Sequence, residues 1–231
     1  PKILLVGVFS QFFLLPALTF VAILIIKPHP SFALGMMMIA ACPGGNISNF
    51  FSKMAKGNSA LSVSLTAFAT VICLLMTPLN LQFYSGLYEP TNEIIKTVQL
   101  DPIELFKLVL LILGIPIVLG MSLNHYFEEI SKKIEVLLKP FSIVVFLALI
   151  VIAFYDNIDV FLKYIHLVAG LVIFHNIGAY FIGFYTAKTF GLEKKDRKTI
   201  CMETGIQNGG LGLLLIFQFF DGLGGMALLA A

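Results

Sequence analysis

One acidic residue, Glu203, stands apart from the other twelve, because it falls inside a long apolar segment while they lie in connections or at segment ends. An ionised group within a membrane is costly and is a functional candidate by default. Gln207 lies one helical turn later, on the same helix face. The alternative is a residue at a solvated helix end, since Arg197 and Lys198 closely precede it. We favour a functional carboxylate, because the glycine-rich run that follows should interrupt the helix.

Neutral oxygen-bearing side chains elsewhere in the chain complement this carboxylate. Ser62 and Thr66 form a hydroxyl pair one helical turn apart, although alone such a pair more often packs helices together. Three further residues supply hydroxyl or amide oxygens: Gln11, Ser48 and Asn49. Hard cations take carboxylate, hydroxyl, amide and free carbonyl oxygens, so the whole set suits an ion such as sodium.

Two apolar segments contain helix-breaking runs at their centres. Residues 42–46 read Cys-Pro-Gly-Gly-Asn, and residues 203–212 contain four glycines. Proline removes a backbone donor and glycine favours non-helical backbone, so both segments should be broken helices. Such interruptions at corresponding positions in two halves of a chain point to the binding site of a transporter. The alternative is that the glycines only allow tight helix packing; we favour the binding site, because polar side chains gather at both breaks.

The composition requires a bilayer around these segments. Hydrophobic residues make up 58% of the chain, charged residues only 12%, and the mean hydropathy is +0.95. Since a spanning helix needs about 20 mostly apolar residues, and no closed-barrel alternation is present, we predict an all-α membrane protein. Seven spans can be drawn, at about 3–26, 33–56, 59–87, 104–124, 135–155, 162–187 and 198–220.

An eighth span is predicted to begin near residue 222. The chain opens on an apolar run without a basic leader and stops inside another apolar run, so we expect it to be cut at both ends. The net charge of +2 is too small to indicate a nucleic-acid partner. The cysteines, Cys42, Cys73 and Cys201, lack metal-ligand spacing and are interpreted as packing residues.

Loop charges predict the orientation of the spans. Eleven of the fifteen lysines and arginines fall in the loops on one side, which should therefore be cytoplasmic and should include Pro1. The second span then runs inward and the seventh outward. Because each broken span directly follows a continuous one, this indicates an inverted repeat. The long outward connection at about 88–103 would suit a joint between the two halves.

Three motifs resemble those of the bile acid:sodium symporter family: residues 42–49, 56–62 and 203–208. The resemblance covers essentially the whole chain and implies a core domain and a panel domain, with the two broken helices crossing beside two sodium sites. It places core helices of the first repeat at 1–88, panel helices at 104–155 and core helices of the second repeat at 162–231. It also implies a bacterial inner-membrane protein that lacks two spans before Pro1 and most of a tenth span.

The same resemblance implies the ligands of two sodium ions. One site would use Ser48, Asn49, Ser62, Thr66 and Glu203. The other would use Gln11, Glu203 and Gln207 with the backbone carbonyls near Thr204 and Ile206. Substrate contacts are expected from residues at the breaks, where half-helix N-termini offer donors to an anion, and from a polar pair in the sixth span. These residues are Asn46, Asn208, Thr204, His175 and Asn176, although the pair His175 and Asn176 better fits a packed, hydrogen-bonded role.

The function predicted from these observations is sodium-coupled symport of an organic anion, bile-acid-like or a small carboxylate, by a monomer that alternates its access. One alternative is a proton-coupled exchanger, which should hold more ionisable groups in its core. A membrane enzyme would need a nucleophile, a base and an orienting group, and no such trio stands out, so we expect no enzymatic activity. A membrane sensor or scaffold that transports nothing is the third reading.

Overall fold

Helices account for nearly all of the chain in the computed structural model, which describes residues 2–98, 102–156, 158–223 and 225. Helix α1 is Lys2–Ile26, α2 is Pro30–Ala41, α3 is Ile47–Met54, α4 is Ser59–Leu87 and α5 is Glu89–Val98. Next come α6 (Pro102–Val109), a π-helical turn (Leu110–Gly114), α7 (Ile115–Tyr126) and α8 (Glu128–Asp156). The chain continues with α9 (Ile158–Thr189), α10 (Lys194–Gly205) and α11 (Gly209–Phe220).

Polar and apolar side chains are distributed as in a membrane protein. Within the described residues, three helices are long and apolar enough to cross a bilayer: Lys2–Ile26, Ser59–Leu87 and Ala169–Thr189. Helix α3 shows the distribution most clearly, because Ser48 and Ser52 are buried whereas Ile47, Phe50 and Met54 are exposed. The chain is therefore a multi-pass membrane protein that buries polar side chains within a largely apolar interior.

The two predicted breaks are confirmed. Helices α2 and α3 are separated by residues 42–46, and α10 and α11 by residues 206–208. The second break is shorter than the glycine-rich run suggested, and Glu203 remains within the last turn of α10. Asn208 caps α11, because its side-chain oxygen accepts a 3.0 Å bond from the Leu211 amide.

The connection predicted at about 88–103 is not wholly irregular, since α5 occupies residues 89–98. Its apolar side packs back onto α2, with Ile95 buried and Ile94 partly buried. Helices α8 and α9 also extend beyond the predicted spans, because charged residues continue a helix that a hydropathy pattern ends. The predicted eighth span lies almost wholly outside the described residues.

Helix α1 contains a π-helical turn, Ser10–Leu14, and a proline shortly after it that leaves one backbone carbonyl without its usual helical donor. Pro16 has no N–H with which to bond the Phe12 carbonyl, four residues earlier. The Asn80 amide of α4 replaces that donor at 2.8 Å. Thr77, also on α4, donates a 2.6 Å bond to the Ala41 carbonyl, where α2 ends. Helix α4 thus satisfies carbonyls that two irregular backbones leave free.

The exposed lysines of one corner of the molecule define what we call the basic end. They lie where α3 and α9 finish and where α10 begins: Lys53, Lys56, Lys188, Lys194 and Lys195. The turn after α3 is tied to this corner by Lys198, whose ammonium donates a 2.7 Å bond to the Ala55 carbonyl.

Replacing Asn80 by leucine should destabilise the fold by about 1–2 kcal/mol, because the buried Phe12 carbonyl loses its donor. The measurement is thermal unfolding of the detergent-purified protein. Asn124→Leu makes the same chemical change at an exposed position and serves as control. Equal melting temperatures for the two variants would contradict the prediction.

Candidate sodium site

The carboxylate of Glu203 is fully buried and accepts hydrogen bonds from three hydroxyl groups. Ser48 at the start of α3 donates to Oε1 at 2.6 Å, and Ser62 near the start of α4 donates to the same oxygen. Thr66, one turn further along α4, donates to Oε2 at 2.8 Å. Three donated hydrogen bonds favour the ionised form of a carboxylate. We call these four residues the carboxylate cluster.

No cationic side chain neutralises this carboxylate within the part of the chain that the structure describes, where the ion pair that forms is Lys132 with Glu128. The cluster instead ends at a neutral amide, with Asn49 Oδ1 at 3.3 Å from Thr66 Oγ1. Each hydroxyl group donates its hydrogen to the carboxylate and still has lone pairs on its oxygen. The arrangement can therefore hold a small cation among carboxylate, hydroxyl and amide oxygens.

A second group of oxygens lies on the backbone side of Glu203. Gln11, in the π-helical turn, donates a 2.9 Å bond to the Glu203 carbonyl, and Gln207 donates a 2.7 Å bond to the Thr204 carbonyl. The side-chain oxygens of both glutamines are buried and lack a hydrogen-bond partner among the described residues. Buried polar atoms are normally paired. These two oxygens are therefore available to a ligand.

The two helix breaks pair with each other beside these oxygens. Gly45 donates a 2.9 Å backbone bond to Ile206, and Asn208 donates a 2.8 Å bond to Pro43. Gly44 lies opposite Gln207 as in a short antiparallel bridge. The backbones approach closely because position 44 has no side chain. The breaks thus bring the start of α3 against the end of α10.

A cavity of about 590 Å³ opens beside the carboxylate cluster. Its polar lining includes Asn46, Asn49 and Thr66, and its apolar lining includes Ile117 and Met121 of α7. None of the described residues that line it is charged. The cavity therefore offers amides, hydroxyls and the N-terminus of α3 to a polar group, and an apolar wall to the rest of a ligand.

The other residues predicted to contact substrate lie away from this cavity lining. Thr204 is buried, with its hydroxyl 3.0 Å from the Ser10 hydroxyl. The His175 ring is buried on α9 and lies 2.8 Å from Thr19 Oγ1. Asn176 is partly buried beside it, and Asn208 caps α11. Only Asn46 of the five residues lines the cavity.

Three polar residues of this region, buried or partly buried, are absent from the sequence-based prediction: Ser52, Asn58 and Thr199. Each lies four residues from a member of the carboxylate cluster on the same helix or at its cap. That one-turn spacing was the available signal, but short hydroxyl and amide residues near helix ends are common. Only their convergence in three dimensions distinguishes them.

Comparison with known proteins gives the family. A model described as the Sodium Bile acid symporter family matches residues 1–164. The chain belongs to this family. The match contains three members of the carboxylate cluster, from Ser48 to Thr66, and also Gln11. Glu203 and Gln207 lie beyond the matched range.

Named relatives of the family align over almost the whole chain. An uncharacterized sodium-dependent transporter of Bacillus subtilis, YocS, is 29% identical over 223 residues, covering 96% of this chain and 67% of its own length. The probable chloroplastic sodium/metabolite cotransporter BASS1 of Arabidopsis thaliana is 29% identical, covering 95% and 53%. The human sodium/bile acid cotransporter 4 is 31% identical, covering 88% and 46%. The chain thus spans about half to two thirds of the length of these relatives.

Adding a methyl group at position 44 should disrupt the pairing of the breaks. A Cβ there would lie 2.9 Å from Gln11 Nε2, from the Glu203 carbonyl and from Glu203 Oε2. We expect Gly44→Ala to destabilise the protein by about 1–3 kcal/mol, as overpacking does. Thermal unfolding in detergent measures it. The control is Gly86→Ala, where a Cβ meets nothing within 4 Å, and comparable stability of both variants would argue against a tight crossing.

Proposed function

We propose that this chain belongs to a sodium-coupled symporter that carries an organic anion across a membrane by alternating access. The observation that carries the proposal is the fully buried Glu203, held by three hydroxyls where two broken helices meet. Membership of the family and the sodium-dependent transport named for its relatives support the same reading. Sodium and the anion are both cargo in this scheme.

The first sodium ion would bind in the carboxylate cluster together with Asn49. Binding requires only that the three hydroxyl groups turn their lone pairs toward the ion while the carboxylate oxygens keep their places. The donors are hard oxygens of the kinds that suit such a cation. Neutral ligands around a single carboxylate also favour sodium over the proton-coupled alternative, which should hold more ionisable groups in its core.

The second sodium ion would bind between Gln11 and Gln207, with Glu203 and the carbonyls of Thr204 and Ile206. The support is the pair of buried glutamine oxygens without partners in the described structure. Unpaired carbonyl oxygens pointing away from donors are costly unless something binds them. A cation at this place would offset that cost.

The anionic substrate would enter the cavity beside Asn46, with the remaining break residues Asn208 and Thr204 becoming accessible in another state of the cycle. The N-terminus of α3 and the neutral amides suit an anionic group. The apolar wall formed in part by Ile117 and Met121 suits a hydrophobic body. We leave His175 and Asn176 as packing residues, because His175 already pairs with Thr19.

The architecture that goes with this function is an inverted repeat with a core and a panel domain. The broken helices would belong to the core, and α6 to α8 to the panel. The basic end would face the cytoplasm of a bacterium, by the positive-inside rule. Movement of the core against the panel would expose the cavity to each side of the inner membrane in turn.

Glu203→Gln should fold but lose sodium-dependent uptake, because it keeps the side chain's size and removes the charge that stabilises the cation. The measurement is uptake of a labelled organic anion by the full-length protein in proteoliposomes, with and without a sodium gradient. Glu129→Gln, which changes an exposed carboxylate, is the control. Sodium dependence equal to that of the wild type would reject Glu203 as the centre of the site, and sodium-independent uptake by the wild type would reject the function.

Charge balance predicts that transport carries current. One carboxylate facing two sodium ions leaves the site at about +1, in surroundings that penalise net charge. A monovalent anion would offset this charge, so sodium and the anion should tighten each other's binding by the same factor. A cycle with both ions would move one net positive charge inward, which a potential drives by about 2.3 kcal/mol per 100 mV.

Currents on solid-supported membranes that carry the full-length protein test this balance. A monovalent carboxylate or sulfonate should give a sodium-dependent current, and a neutral analogue of equal size should give much less. Transport of the anion without current would exclude the two-sodium arrangement even if Glu203 proved essential.

A further inference from the structure

A second polar layer lies one helical turn from the carboxylate cluster, toward the basic end. It consists of one residue from each of the same three parts of the chain: Ser52, Asn58 and Thr199. Ser52 follows Ser48 along α3, and Thr199 precedes Glu203 along α10, each by four residues. Asn58 caps α4, four residues before Ser62. The two layers are therefore stacked, and the same helices contribute to both.

The Thr199 hydroxyl is the centre of this second layer. Its oxygen accepts a 2.8 Å bond from the backbone amide of Asn58. It also lies 3.2 Å from the backbone carbonyl of Asn58 and 3.0 Å from the Ser52 hydroxyl. The Asn58 side chain accepts a 3.1 Å bond from the Leu61 amide and donates a 2.8 Å bond to Asp196 Oδ1. Thr199 thus ties α10 to α3 and to the start of α4 at once.

The second layer is tightly packed. Ser52 and Thr199 are fully buried. Gly57 lies against both, since a Cβ on it would be 2.7 Å from Thr199 Oγ1 and 2.9 Å from Ser52 Oγ. All three residues of the layer hydrogen-bond to one another, to the neighbouring backbone or, in the case of Asn58, to Asp196. The layer therefore holds α3, α4 and α10 together and is not an open ligand site.

The spacing of these helices decides how far apart the oxygens of the carboxylate cluster stand. Ser48, Ser62 and Glu203 come from three separate helices, so nothing in their own backbones fixes their separation. Selectivity among hard cations depends on cavity size, ligand number and the flexibility of the cage. Hydrogen bonds between the helices one turn away limit that flexibility, because regular helical geometry fixes the relative positions of residues four apart.

We propose that Thr199, with Ser52 and Asn58, is a positioning residue that sets how tightly and how selectively the carboxylate cluster binds sodium. This inference rests on the proposed function and adds to it the determinant of cation choice. Loss of the hydrogen bonds around Thr199 should let the oxygens of the carboxylate cluster move apart. Sodium should then bind more weakly, and the larger potassium ion should be excluded less.

The test is cation binding to the full-length protein in detergent, without substrate. Thermal stabilisation is titrated with sodium chloride and potassium chloride at constant ionic strength, since a ligand that binds the folded state raises its melting temperature. Thr199→Val should weaken sodium binding about five- to tenfold, the order expected for lost hydrogen bonds, and reduce the preference for sodium over potassium. Thr199→Ser keeps the hydroxyl and should restore both.

Two further variants separate positioning from general stability. Gly57→Ala pushes the layer apart without removing any hydroxyl, and it should reduce the sodium preference as Thr199→Val does. Thr189→Val removes a hydroxyl that is exposed and donates to the Tyr185 carbonyl, so it should leave cation binding unchanged. If Thr199→Val and Gly57→Ala only lower the melting temperature and keep the wild-type affinity and preference, the inference is wrong.

The same titration distinguishes this inference from the proposed function. If sodium stabilises the wild-type protein and the Thr199 variants equally, the positioning role falls and the sodium site stands. If sodium does not stabilise the wild type any more than potassium does, the sodium-coupled function falls, and the positioning role falls with it.

Discussion

Two backbone hydrogen bonds between the helix breaks are the contacts on which the arrangement of the site depends. A broken helix inside a bilayer leaves amides and carbonyls that water cannot reach, and each unpaired group is costly. Here each break supplies what the other lacks, through Gly45 with Ile206 and through Asn208 with Pro43. Because this pairing brings the start of α3 against the end of α10, it also brings Ser48 to Glu203.

The same principle explains the other irregular points of the backbone. Pro16 prevents one bond to the Phe12 carbonyl, and Asn80 supplies another. The Gly45 amide bonds the opposite break and so does not bond the Ala41 carbonyl. The Thr77 hydroxyl donates to that carbonyl instead. Helix α4 therefore does two things, supporting irregular backbone in its second half and supplying Ser62 and Thr66 in its first. Sequence changes along α4 should affect folding or ion binding according to which half they alter.

Sequence patterns predicted the helical segments and both breaks because these are local properties. Proline and glycine alter the backbone wherever they stand, and charge-poor runs of spanning length are visible in the chain. Helix α5 and the charged extensions of α8 and α9 were not predicted, since hydropathy reports the membrane-facing part of a helix and not its full length. The second break is shorter than predicted for a related reason. Glycines 209 and 210 permit non-helical backbone, but Asn208 caps α11, so the helix begins at Gly209.

Residue types and one-turn spacings by themselves determined that Glu203, Ser62, Thr66 and the breaks were the candidates, because a charge inside an apolar segment is rare and the oxygen-bearing side chains form a set that suits a cation. Only the tertiary structure decided which of these oxygens meet. Ser48 and Glu203 are separated by 155 residues, and no local pattern encodes a contact over that distance. The second layer around Thr199 makes the point most strongly, since a threonine, a serine and a capping asparagine acquire a role only where three helices converge.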